Sequence, residues 1–478
     1  MMLPEREVLA LHRAITAIRS VSGEERELAG FLAGWARRRG FATQRLGNSL
    51  LLLARGGPAP APAAAGAGTA RPGSPAAADA VAAGLGAAPG VPPPLPLLLL
   101  DTHLDTVPPA PGWTRDPWDS RPVDGKVFGL GANDAKAAVA GMIAAFAAFA
   151  EVELPFTLAL ALVEGEETRG TGTAAVLEEL ARQGRRPAAA VVGEPTGLDL
   201  AIAQKGLLVL ELVARGDSCH AAHARALGAA NAARRLAHDL VALEAVDLGP
   251  AHERLGVMSL EPTQLLAGTA RNVVPGEATA VLDVRTTPAL PAVEVVRRIR
   301  EAVAGEVRVL SDRLAPYETP AGAAVVEAAR RVRPEARLYG SATLSDLVFM
   351  AGIPALKCGP GRSERSHTAD EFVWENEVLA GARFYTRLIG SYAEGLAALP
   401  EVTAASASVP AFAGGGRGGT AAHGSAAGSA AAAPAAGPGD PAVGDGDATA
   451  GGGDAIAGGG DAPTDAGAVA ARAAAVTR

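Results

Sequence analysis

Cysteine is nearly absent from this chain of 478 residues: Cys219 and Cys358 are the only two, far apart in the chain. That usage fits a reducing cytoplasm and supplies no thiolate metal site. Positive charge is also in deficit, with 43 Lys and Arg against 51 Asp and Glu and a net charge of −8. No basic stripe points to nucleic acid. No run of about 18 apolar residues occurs, so no membrane span is expected. The first residues carry Glu5 and Glu7 without a long apolar core, unlike a secretory signal. What the chain does have is apolar bulk, 49% hydrophobic residues, enough for two domains with cores of their own.

Much of the excess Ala, Gly and Pro sits in two stretches. Residues 57–96 have almost no charge and no aromatic side chain, and residues 399–478 have a single aromatic, Phe412. Neither can bury enough apolar surface to offset ordering entropy, so both read as disordered, one as a surface insertion between two strands and the other as a tail. His423 in the tail is a poor ligand candidate for that reason.

Between these stretches the rhythm is strand–helix alternation. Val8, Leu11, Ile15 and Ile18 repeat at helical spacing, and Ser22-Gly23-Glu24-Glu25 offers an N-cap and an acidic first turn for a second helix at 25–39. Apolar strands are expected at 49–54, 97–100, 156–163 and 188–192, with helices at 137–149 and 173–183. This alternation marks an α/β fold with a parallel sheet. From Leu200 it breaks: strands at 206–214, 257–264 and 277–285 and helices at 228–243 and 292–304 suggest a small inserted α+β domain. A helix at 316–332, a core strand at 355–358 and a final helix at 375–396 return to the first domain. The expected division is 1–200, 201–311 and 312–398, followed by the tail.

The chemistry concentrates at strand ends. Four leucines, Leu97 to Leu100, run into His103 and Asp105. Such a run reads as a strand buried on both faces, and functional groups in α/β sheets gather at the carboxyl ends of strands. A His there can bind a metal through one ring nitrogen while an Asp two residues on accepts the other N–H. Asp134, Glu167, Glu194 and His367 also end strands or open the adjacent loops. Each has a local alternative: an acidic turn for Glu166-Glu167, an N-cap for Asp134, a turn residue for Glu194, an ordinary loop residue for His367. Taken together, two imidazoles and three carboxylates suit a pair of zinc ions with one carboxylate bridging, and Glu166 is placed to act as general base.

The segments His103-Leu-Asp105-Thr-Val-Pro, Gly129-Leu-Gly-Ala-Asn-Asp134, Glu166-Glu167, Gly193-Glu194-Pro195-Thr196 and Ser366-His367-Thr368-Ala-Asp-Glu371 resemble, in order, those of the dinuclear zinc aminoacylase/carboxypeptidase superfamily. The resemblance implies a zinc-peptidase-like catalytic domain with a mixed, largely parallel sheet, and an inserted dimerisation lid. It implies two Zn2+, for which Co2+ may substitute: His103 and Glu194 on one ion, Glu167 and His367 on the other, Asp134 bridging. Asp105 then orients His103, and Glu166 is the base. His220, four residues after Gly216, matches a histidine that reaches into the partner subunit's site of a homodimer and stabilises an oxyanion. Asn272 and Arg285 match substrate-carboxylate contacts, though a turn Asn and a surface Arg describe them equally well; Gly359 and Gly361 form a loop able to approach the substrate backbone. The chain departs from the pattern at Ala137-Ala138, where many members carry two glycines.

Within the superfamily, residues 114–118, 129–134 and 365–371 look most like acetylornithine deacetylases. The implied reaction is N-acetyl-L-ornithine plus water to L-ornithine and acetate, in arginine biosynthesis. The related alternatives are N-succinylornithine, N-acetylcitrulline, N-acetyl-lysine or succinyl-diaminopimelate as substrate, or a metallo-carboxypeptidase or dipeptidase. On this reading the tail is dispensable. Removal of residues 402–478 leaves kcat within about twofold, checked by steady-state kinetics; a large loss of kcat overturns it.

Overall fold

The computed structural model describes residues 3–54 and 95–398. The tail, and all but the last two residues of the segment expected to be a disordered insertion, lie outside the described residues.

The leucine run forms the strand Leu97–His103, every residue of it buried. Leu98 and Leu100 enter one core and Leu97 and Leu99 the other, as period-two alternation requires when both faces are covered. This strand pairs in parallel with Thr157–Val163 on one side and Pro187–Val192 on the other. Ala355–Lys357 adds in parallel to Pro187–Val192. Antiparallel strands flank this parallel centre. Ser49–Leu53 and Thr43–Leu46 extend it beyond Thr157–Val163. Leu200–Gln204 follows Ala355–Lys357 and receives Tyr317–Glu318 and Leu338–Ser341. The sheet is therefore mixed, parallel at the centre and flanked by antiparallel pairings, with Leu338–Ser341 joining Leu200–Gln204 in parallel.

One face of this sheet is covered by the helices Glu5–Thr16, Lys136–Phe149, Ala324–Val332 and Glu375–Ala397, which share one core with Leu98 and Leu100. The helix Thr171–Arg182 covers the other through Val176 and Leu180. Lys136–Phe149 is buried nearly all round, because it lies between the sheet and the final helix. The small residues noted in its sequence serve that helix contact as well as the sheet: a Cβ on Gly141 would stand 3.2 Å from the Ala382 nitrogen and from the Tyr385 ring.

A second sheet is wholly antiparallel, in the order Ser259–Ala267, Glu277–Thr286, Gly206–Arg215, Glu306–Leu314. Its strands alternate. Leu208, Leu210 and Leu212 point to a separate core with Leu236 and Ile299 from the helices Ala232–Leu243 and Ala292–Ala302, while the opposite face stays partly exposed. This layer runs from Gly206 to Leu314, so the edges expected at 201 and 311 fall inside the strands Leu200–Gln204 and Glu306–Leu314.

Three local expectations change. The helix read over 316–332 is the short strand Tyr317–Glu318 followed by the helix Ala324–Val332. Tyr317 is held extended because its hydroxyl donates to the Ile353 carbonyl at 2.6 Å and accepts from the Ala355 N–H at 2.7 Å. The helix read from 228 starts instead at Ala232, where Asn231 accepts from the Ala233 and Arg234 N–H groups at 2.9 and 3.2 Å. Ser22 caps no helix: its hydroxyl donates to Asp105 at 2.7 Å.

The helix–helix contact at Gly141 yields a prediction. Gly141→Val lowers the unfolding free energy by about 1–3 kcal/mol through overpacking, despite the better helix propensity of valine. Urea denaturation checks it; a neutral or stabilising result means the two helices can move apart freely.

Candidate metal centre

In the parallel centre of the sheet, His103 lies opposite Val163 and Asp101 opposite Val192, so three strands end side by side. The turn carrying Glu166 and Glu167 follows one of them, and Glu194 follows another. The loop before the helix Lys136–Phe149 brings Asp134, and the loop after Ala355–Lys357 leads to His367. All five sequence-expected ligand residues and Glu166 meet here. Ligand-type atoms of His103, Glu166 and Glu194 lie within 4.8 Å of one another, as do those of Asp134, Glu167 and His367. Asp134 lies between the imidazoles: Oδ1 is 3.4 Å from Nε2 of His103 and Oδ2 is 3.7 Å from Nε2 of His367. Nε2 of His367 is 2.8 Å from Glu167, and Nε2 of His103 is 3.8 Å from Glu194.

What aims these groups is a set of backbone-directed hydrogen bonds. Nδ1 of His103 donates to the main-chain carbonyl of Asp105 at 2.9 Å, leaving Nε2 for the cluster. The expected contact to the Asp105 carboxylate is longer, 3.6 Å, because that carboxylate has other partners. It accepts from Ser22 at 2.7 Å and from the Glu166 and Glu167 N–H groups at 3.0 and 3.1 Å. Asp105 thus orients His103 with its backbone and fixes the Glu166-Glu167 turn with its side chain.

Glu371 does the same for the Asp134 loop, accepting from the N–H groups of Gly131, Asn133 and Asp134 at 2.9, 2.9 and 3.0 Å. Asn133 ties that loop to the segment before His367. Its side-chain oxygen accepts from the Arg362 N–H at 2.9 Å and its amide donates to the Arg362 carbonyl at 3.0 Å. His367 itself adopts φ +60, a conformation costing a non-glycine residue about 1–3 kcal/mol.

Sequence reasoning assigned no role to Glu371 or Asn133, although both lie within motifs it quoted, nor to Asp101 and Asp346. Asp101 was legible as the charge that directly follows four leucines. It is buried and accepts from Thr173 at 3.2 Å. Asp346 is buried as well.

The electrostatics show what the cluster is short of. Burial pushes Glu166 well above the ordinary carboxylate range; the His103 charge opposes the shift, and Asp346, Glu167 and Asp134 add to it. Burial and then Asp134 raise Glu194 in the same way, against Lys357 and His103. Burial also works against Asp134, but hydrogen bonding and attraction to His103 outweigh it and hold its carboxyl below the ordinary value. Burial opposes a charge on His103 too, yet Asp105, Asp134 and Glu194 raise it well above the ordinary imidazole value. His367 is pushed up to about 9, chiefly by its hydrogen bond to Glu167. Such a pocket binds protons to make up missing positive charge. Its imidazole and carboxylate donors are those that hard and borderline divalent cations take.

The remaining expected residues divide. Arg285 lines a cavity of about 600 Å³ together with Glu166, Glu167 and His367, its guanidinium paired to Asp283 at 2.8 Å. His220 and Asn272 are exposed on the small layer, joined by the strand pair Cys219–His220 with Val273–Val274. His220 accepts from the Ala222 N–H at 3.2 Å and stacks near His223, and none of its contacts among the described residues reaches the acidic cluster. Gly359 and Gly361 are buried: a Cβ on Gly359 would fall 2.6 Å from the Glu194 carbonyl, and one on Gly361 would strike the Asn133 side chain. They let the loops of the site pack closely.

A mixed α/β sheet thus carries at its strand ends two adjoining His/carboxylate clusters, each able to hold a divalent metal ion. The chain belongs to peptidase family M20/M25/M40, whose model matches residues 99–391. It is 33% identical over 222 residues to a succinyl-diaminopimelate desuccinylase of Bordetella pertussis, covering 44% of this chain and 57% of that one. The chain thus spans little more than half the length of that relative. A succinyl-diaminopimelate desuccinylase of Wolinella succinogenes is 30% identical over 308 residues, covering 60% of this chain and 82% of its own. Among solved structures, aminopeptidase PepT of Bacillus cereus shares the fold with TM-score 0.61 and 19% identity, over 82% of this chain and all of the other.

Because Glu166 and Glu194 are raised, the folded metal-free chain keeps protons that the unfolded chain has already lost. The stability they lend is present at low pH and lost as pH rises through the raised values. Metal must displace those protons. The rise in Tm on adding Zn2+ or Co2+ is therefore larger at about pH 7.5 than at about pH 5.5, measured by scanning calorimetry. Equal shifts at both pH values, or none, count against the centre.

Proposed function

We propose that this chain is a metal-dependent deacylase that hydrolyses the amide of an N-acyl amino acid. The observation that carries the proposal is Asp134, whose two oxygens face the Nε2 atoms of His103 and His367 across a pocket short of positive charge. His103 and Glu194 would hold one zinc, Glu167 and His367 the other, with Asp134 between them and cobalt as a substitute. Two bound divalent cations would supply Lewis-acid polarisation of the scissile carbonyl and acidify the attacking water.

The chain's own residues do the rest. Glu166 is half-buried and its basicity is raised by desolvation, so it accepts the proton of the water and passes it to the leaving amine. Asp105 keeps it in reach by holding its N–H. Arg285, in the same cavity, is placed to meet a substrate carboxylate by a bidentate pair. His220, on a short strand, and Asn272, in the turn before Val273–Val274, are exposed away from the cluster, which suits delivery into the site of a second copy in a homodimer. No helix among the described residues is long and apolar enough to cross a membrane, and the cysteine usage favours the cytoplasm.

For the acyl group, the names of the relatives favour N-succinyl substrates such as succinyl-diaminopimelate over N-acetyl-L-ornithine. The acetylornithine reading keeps the support of residues 114–118, 129–134 and 365–371. A peptidase is the second reading, favoured by the fold shared with aminopeptidase PepT.

Amine release from N-succinyl, N-acetyl and dipeptide substrates by the metal-loaded enzyme separates these readings. Glu166→Gln lowers kcat by about 10²–10⁴-fold with metal content unchanged. Loss of bound metal in that variant would make Glu166 a ligand in place of the base, and turnover of dipeptides alone would overturn the deacylase reading.

A further inference from the structure

Beside the metal centre lies a second, smaller cavity of about 210 Å³. It begins at Pro195 and Thr196, directly after Glu194, and shares Ala342 and Thr343 with the cavity that holds Glu166 and His367. The segment Ala342-Thr343 is therefore a wall between the two.

Lys357 lines this cavity and is only 4% exposed. It sits at the end of the central strand Ala355–Lys357, between Val192 and Ala201, where an apolar residue would be expected. Its ammonium has three donors and makes one hydrogen bond, to the Thr343 hydroxyl at 3.1 Å. Arg362 lines the same cavity. Its backbone is pinned to Asn133 from below, and its guanidinium lies over Gly197. Among the described residues, no carboxylate stands within ion-pair distance of Lys357 or Arg362, whereas the third cation of the cavity, Arg337, pairs with Asp199 at 3.6 Å. A buried ammonium without a counter-ion is costly. Its charge is felt at Glu194, yet a ligand entering the cavity meets it directly.

We propose that this cavity is the subsite for a carboxylate at the far end of the substrate's acyl group, with Lys357 and Arg362 as its counter-charges. The inference rests on the deacylase reading and deepens it: it names a dicarboxylic acyl group as the class the site selects. Lys357, fixed in a strand, is the specificity-determining residue. Arg362, on the loop, closes over the carboxylate from the solvent side. The acyl chain passes the Thr343 wall, so the scissile carbonyl stays with Glu166 while the distal carboxylate lies with Lys357.

The test compares an N-succinyl amino acid with its N-butyryl twin, which has the same length and a methyl in place of the carboxylate. In the metal-loaded enzyme, Lys357→Met raises KM for the succinyl substrate at least about tenfold, a loss of about 1.4 kcal/mol, and shifts the butyryl twin less than about twofold. Arg362→Gln, on an exposed loop and without consequence for the core, raises the succinyl KM about threefold, and it keeps the test alive if Lys357→Met does not fold. Equal effects on both twins would mean that Lys357 serves only to balance the charge of Glu194, and overturn the subsite; so would no effect on either. If neither twin is hydrolysed, the deacylase reading falls, and calorimetric binding still decides the cavity. A preference for the succinyl over the butyryl compound that disappears in Lys357→Met supports it, and equal binding refutes it.

Discussion

Negative charge confined where parallel strands end is the constraint on which this molecule depends. Asp134, Glu166, Glu167 and Glu194 crowd one end of the sheet with two imidazoles among them. Half of these groups are buried, and desolvation with mutual repulsion raises Glu166 and Glu194. Water cannot relieve that repulsion, so cations must. The stability of this end of the fold and its chemistry are therefore one problem, solved by the same bound charge.

The buried acids divide according to what they accept. Asp105 and Glu371 take backbone N–H groups from the very loops that carry Glu166, Glu167 and Asp134. They are struts, and their charge is spent on loop geometry. Among the described residues, Glu166 and Glu194 have no such donors, which leaves their lone pairs for a metal or a proton. Residues of the same type, a few ångströms apart, acquire different roles from the hydrogen bonds available to them. Rigid struts matter because a proton acceptor displaced by about 1 Å loses much of its effect. The strained backbone of His367, held by a segment tied to Asn133, belongs to the same design.

Lys357 extends the logic outward. One cation in a buried strand partly offsets the charge of Glu194 and presents a charge to a neighbouring cavity. The small antiparallel layer stands apart, with a core of its own and with His220 and Asn272 exposed. Contributions from this layer to the site depend on how copies of the chain meet.

Most of the site was legible because its ligand residues each follow an apolar strand, and strand ends are visible as the point where a run such as Leu97 to Leu100 gives way to polar residues. Period-two burial and the α/β alternation followed from the same pattern, and strongly patterned helices such as Lys136–Phe149 and Ala292–Ala302 were read to within two residues at each end. Short strands were not legible. Leu200–Gln204 and Leu338–Ser341 have too few residues for a period to show, and they are strands because an edge was there to receive them. Nor did the sequence reveal that Ser22 binds Asp105, that Glu371 holds the Asp134 loop, or that Lys357 faces a cavity. Those are contacts between residues scores of positions apart, and no local periodicity encodes them. The sequence by itself determined which side chains do chemistry and on which elements they ride, because local apolar patterning and side-chain type are properties of short segments. Only the tertiary structure decided which carboxylates became struts and which stayed free, because burial and hydrogen-bond partners exist only once distant segments are packed together.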